Sequence, residues 1–197
     1  MNIKANLRRY IDVDFFLRFF FLLMALYFFN VCYIAVIEKQ GMVYSAFLDH
    51  NFNYILWIKD SLLYTSNSIV RALGVHSSIY FPDHLRTING AWVEVAYGCL
   101  GINLFCFWVA FVLANKEPFK RKITWCIAGV IGIWFINTWR IAILLIAFNN
   151  RWKVNAVLHH ETKFNIIAYS LIIFMIYLFI KDGKRRLMQG RVNKVPV

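Results

Sequence analysis

The sequence predicts an all-α polytopic membrane protein, with about four transmembrane helices, an extracytoplasmic amphipathic helix and a short β-hairpin. Three observations predict it. Of the 197 residues, 60% are hydrophobic and 18% aromatic, more than a soluble domain of this length uses for its core. Apolar runs recur at Val13–Ile37, Ile102–Ala114, Ile123–Phe148 and Phe164–Ile180, and a crossing needs roughly 20 such residues. Basic residues cluster beside these runs. Lys4, Arg8 and Arg9 precede the first; Lys116, Lys120, Arg121 and Lys122 separate two of them; Lys181, Lys184, Arg185, Arg186, Arg191 and Lys194 follow the last.

The first run is longer than the ~7–15 residues of a signal-peptide core and shows no small-x-small cleavage pattern, so it reads as a retained anchor. By the positive-inside rule the three basic flanks are cytoplasmic. Spans near 13–37, 97–115, 123–148 and 164–180 then close with both termini in the cytoplasm, a multi-pass protein of the cytoplasmic (inner) membrane. The segments 38–95 and 149–163 carry nearly balanced charge and are the outside. Within them, 51–74 combines Ile55, Leu56, Leu62, Leu63, Ile69, Val70 and Leu73 with Lys59, Asp60, Asn67 and Arg71. Such a mixture suits an amphipathic helix on or dipping into the outer leaflet better than a fifth crossing. From Ser77 to Tyr97 the turn formers Pro82, Asp83, Asn89 and Gly90, and the alternating residues Trp92 to Ala96, predict the hairpin. The run Ile102–Ala114 is short for a crossing. It must be extended back through Tyr97 and Cys99, or be covered by protein there. No repeat or linker divides the chain, so residues 1–197 are expected to form one domain.

The formal charge is +12, yet its clustering serves orientation in a bilayer and calls for no nucleic acid partner. Cys32, Cys106 and Cys126 lie inside apolar runs with no disulfide or zinc spacing; no metal and no cofactor is expected. Cys99 alone lies near an interface.

In this topology Cys99 stands where an outside segment enters a span, Arg140 stands late in a span running outward, and His159 and His160 just precede a span running inward. All three reach one membrane face. A thiol at a helix N-terminus facing a guanidinium has its thiolate favoured, and a helix begins near Gly101. Arg140 can serve that thiolate or the oxyanion formed when a carbonyl is attacked. A histidine can protonate the leaving amine. Asn137 puts a second polar group on the Arg140 stripe, a costly arrangement unless it faces protein or a cavity. Each residue has a plainer reading beside this one. Cys99 can be a small buried side chain, Arg140 can snorkel to headgroups, and the histidines can be solvated loop residues. A haem or metal site on the histidines is disfavoured, because neighbours on a helix point apart and no partner histidine lies in a span.

Three segments carry a more specific likeness: Val95-Ala96-Tyr97-Gly98-Cys99-Leu100-Gly101-Ile102, Asn137-Thr138-Trp139-Arg140-Ile141 and His160-Glu161-Thr162-Lys163-Phe164. In order, spacing and topology the chain resembles a compact member of the exosortase and archaeosortase family, over about Ser77 to Ile180. The resemblance implies a thiol peptidase or transpeptidase with Cys99 as nucleophile, Arg140 as electrostatic partner and His160 (or His159) as acid/base, Asn137 and Gly101 supporting them. Substrates would be exported proteins carrying a C-terminal sorting signal of short motif, transmembrane helix and basic tail, cleaved through a thioester at the extracytoplasmic face. Leu100 departs from the Ser or Ala common at that position, and the chain is shorter than many members, which carry additional N-terminal spans, so it looks like one of the compact ones. The competing expectation is a non-catalytic membrane subunit of a surface-polysaccharide or protein export system.

Overall fold

The computed structural model describes residues 12–39, 43–80, 82–151 and 154–192, with side chains in the last stretch described for 166, 167 and 169–186. The basic residues Lys4, Arg8, Arg9 and Lys194 lie outside the described residues. Among the described residues, six α-helices and three short strands follow one another. The chain divides into two compact units, 1–150 and 151–197.

Helix α1 (Val13–Ile37) begins where the Asp12 carboxylate accepts the Phe15 N–H at 3.3 Å, a side-chain cap for a donor the helix leaves unpaired. It is apolar on nearly every side, and most of its phenylalanines face outward, Phe21 at 75% exposure. A surface of that size stays out of water only if something apolar covers it. One polar residue on α1 is buried, Asn30, whose side-chain oxygen accepts the Tyr54 hydroxyl. The short α2 (Ala46–Asn51) folds back against α1, its lead-in fixed by the Ser45 N–H on the Val36 carbonyl at 2.9 Å. Helix α3 (Tyr54–Ala72) starts at Asn53, whose side chain caps the Leu56 N–H.

Helices α4 (Ile102–Ala114) and α5 (Phe119–Asn149) form an antiparallel pair. Lys122 Nζ donates to the Leu113 carbonyl and Trp108 Nε1 to the Trp125 carbonyl, both at 2.8 Å. Gly129 makes this approach possible, since a Cβ there would lie 1.8 Å from Trp108 Nε1. Phe15 on Phe111 and Phe19 on Phe107 set α1 antiparallel to α4. Lys116 meets Asp12 at 3.7 Å, so the basic loop and the start of α1 share one end of this unit. At the far end, the Asn89 side chain reaches Asn149 at 3.2 Å, where an antiparallel sheet of β1 (Ser77–Tyr80), β2 (His84–Thr87) and β3 (Trp92–Glu94) packs on α3 and α5.

Several sequence expectations change in detail. The hairpin gains a third strand. The 51–74 helix exists as α3, but its apolar face packs on α5: Trp134 Nε1 donates to Ser61 Oγ at 2.9 Å and Ser66 Oγ to the Thr138 carbonyl at 3.0 Å. This pairing makes α3 and α5 parallel. The span 97–115 is not a continuous helix, because Gly101 adopts φ +74° and separates a 3-10 turn at Tyr97–Cys99 from α4. Protein covers it instead: Leu100 and Trp108 are fully buried. Helix α6 (Val154–Val192) begins ahead of the 164–180 run and takes in positions 159 and 160, which are helical and not part of a loop. Among the described residues, α1 and α5 are long and apolar enough to cross a membrane.

Candidate active site at the Cys99 turn

The turn carrying Cys99 is built by local backbone bonds. The Cys99 N–H donates to the Ala96 carbonyl at 2.8 Å and the Leu100 N–H to the Tyr97 carbonyl at 3.2 Å. Gly101 then takes the left-handed conformation that glycine reaches without a Cβ penalty. This reverses the chain so that Leu100 drives into the core while α4 starts at Ile102. Helix α4 has no side-chain cap, so its first N–H groups and the positive end of its dipole are directed toward the residues just before it. Cys99 is half-buried, lies two residues ahead of Gly101 and packs on the core that includes Leu100, Ile141 and Ala142.

Asn137 joins this turn to α5. Its Nδ2 donates to the Leu100 carbonyl at 3.3 Å, and a Cβ on Gly101 would stand 2.1 Å from the same nitrogen. Gly101 therefore meets two demands at once, a positive φ and room for the amide. Arg140 stands three residues beyond Asn137, on the same side of the helix. It is half-buried and has no hydrogen bond or ion pair among the described residues. The side chains of His159, His160 and Glu161 lie outside the described residues. Of the proposed set, Gly101 and Asn137 meet directly, and Cys99 and Arg140 flank that contact in sequence.

Sequence reasoning passed over a polar group beside the turn. Lys59 belongs to the buried stripe of α3, with Ile55, Leu62, Leu63, Ser66 and Val70. Its Nζ is 3.8 Å from Asp83 Oδ2 and 5.7 Å from the centre of the Tyr97 ring. Asp83 Oδ1 also holds His84 Nδ1 at 2.6 Å. The signal was present in the periodicity: Lys59 falls four residues after Ile55 and three before Leu62, on the apolar stripe where a charge is out of place.

A cleft of about 190 Å3 between α1, α3 and α4 is lined by Asn30, Tyr54, Ile58, Ile102 and Cys106 among others; Cys99 and Arg140 are not among its walls. Among the described residues no three of His, Cys, Asp and Glu gather as a metal ion would require. No protein-family model, curated protein or solved structure matches the chain.

Proposed function

We propose that the chain is a membrane-embedded cysteine peptidase or transpeptidase that cleaves the C-terminal sorting segment of exported proteins. The clasp of Asn137 on the Leu100 carbonyl carries the reading. It ties the residue after Cys99 to α5 one helical turn before Arg140, which is what a thiol and a guanidinium serving one carbonyl would require. In this reading α1, α4, α5 and α6 are the four spans, with both termini in the cytoplasm of an inner-membrane protein. The grouping of Asp12 with the 116–122 loop at one end, and of the sheet at the other, supports it. The sheet end is extracytoplasmic and α3 leans on α5 beneath it.

The Cys99 thiolate adds to the scissile carbonyl and forms a C–S bond. The negative charge on the carbonyl oxygen is met by Arg140. Collapse expels the C-terminal fragment as an amine, protonated by His160 or His159. Water or an amine then attacks the thioester and regenerates the thiol. Mass spectrometry of exported proteins from cells with and without the gene tests this. A shared C-terminal cleavage point that disappears in the deletion and in Cys99→Ala is expected; identical C-termini in all three strains overturn the reading.

A further inference from the structure

Resting on that peptidase reading, we propose that Lys59 is a positioning residue for Cys99, holding the turn that carries the thiol by grasping the two segments leading into it. Lys59 is only 9% exposed, and a buried ammonium is costly unless its surroundings return what water gave it. Two groups do so. Asp83, in the turn between β1 and β2, supplies the counter-charge, and the Tyr97 ring, two residues before Cys99, supplies a π face.

Asp83 has a second hold on the same turn. Its backbone carbonyl accepts the Val95 N–H at 2.8 Å, which anchors the chain just before Tyr97. Its carboxylate is divided between Lys59 and His84, and the His84 ring in turn lies 5.3 Å from that of Trp92 on β3. Two polar routes from α3 to the catalytic turn therefore start at Lys59, one directly to Tyr97 and one through Asp83 to Val95. Asn137 holds the turn on its C-terminal side and Lys59 on its N-terminal side. Cys99 lies between the two holds.

Lys59→Met keeps the length and most of the apolar stem, so it removes the ion pair without opening a cavity. In full-length protein in lipid nanodiscs, it is expected to lower substrate processing about 10–100-fold, the scale on which small misplacements of reacting groups act. The rate of Cys99 alkylation by a neutral maleimide, followed by peptide mass mapping, should rise several-fold as the turn loosens, while Cys106 is unchanged. Lys59→Arg should restore both readouts, and Asp83→Asn should move both in the direction of Lys59→Met. Processing within twofold of wild type, unchanged Cys99 alkylation in both Lys59→Met and Asp83→Asn, or an arginine variant no better than methionine would each overturn the proposal. Failure of the peptidase reading looks different: Cys99→Ala would still process substrate, whatever the alkylation rates show.

Discussion

The two halves of α5 use the same device for different purposes. Near its start, Gly129 admits the Trp108 ring, and the polar groups around it are matched: Trp108 Nε1 with the Trp125 carbonyl, Lys122 with the Leu113 carbonyl, Arg121 with Glu117. Further along, a glycine on the partner chain segment admits an α5 side chain, Gly101 against Asn137. There a half-buried thiol and a half-buried guanidinium stand on either side without a partner among the described residues. Close packing alone accounts for the first contact. The second ties the segment carrying Cys99 to the helix carrying Arg140, which close packing alone does not require.

The largest effect should separate the two ends by their cysteines. Cys99→Ala should abolish processing, since removal of a nucleophile costs up to ~10⁶ in rate in acyl-transfer enzymes; Cys106→Ala, in the packed body of α4, should process normally. Equal activity in the two variants, assayed on a C-terminally tagged substrate, would remove the distinction. Next comes Arg140→Lys, which keeps charge but loses the planar two-donor fork. A loss of about 10²–10³ in kcat is expected, as for one oxyanion donor, whereas Lys122→Arg at the other end should leave kcat unchanged.

The glycines sharpen the comparison at a smaller scale. Gly101→Ala combines left-handed strain with a collision at Asn137, and Gly129→Ala collides with Trp108; each should lower stability by about 1–3 kcal/mol. Only Gly101→Ala should also reduce kcat in the folded fraction, and Gly101→Ala with Asn137→Ala should relieve the collision but not the left-handed strain, recovering at most part of the stability and none of the rate. Thermal unfolding beside activity per folded molecule decides this.

The smallest effect concerns the lead-in to α3, and through it Lys59. Asn53 Nδ2 and the Tyr44 hydroxyl donate to the Asp49 carboxylate at 2.8 and 2.9 Å, and these bonds hold its pKa below the usual carboxylate value. A depressed carboxylate contributes stability that is present above the unfolded pKa, near 4, and is lost as pH falls through the lower folded value. The difference in melting temperature between wild type and Asp49→Asn should therefore be constant at neutral pH and vanish in acid. A difference that grows below about pH 4 would reverse the sign.

Hydropathy and charge made the helices legible because they act over many residues at once. The apolar run Val13–Ile37 has the bounds of α1, and 51–74 and 123–148 correspond to α3 and α5 with ends displaced by a few residues. Cys99, Arg140, Asn137 and Gly101 also stood out as chemical types at telling positions. What sequence could not determine depended on which surfaces meet. The break at Gly101 combines a positive φ with an Asn137 amide that lies where a Cβ would stand, and that contact is not visible without α5 beside the turn. In the sequence Lys59 is one of four polar residues that mark 51–74 as an amphipathic helix. Only when α3 turned its stripe onto α5 and the sheet was that charge brought against Asp83 and Tyr97, because burying an ammonium requires partners contributed by segments distant in the chain.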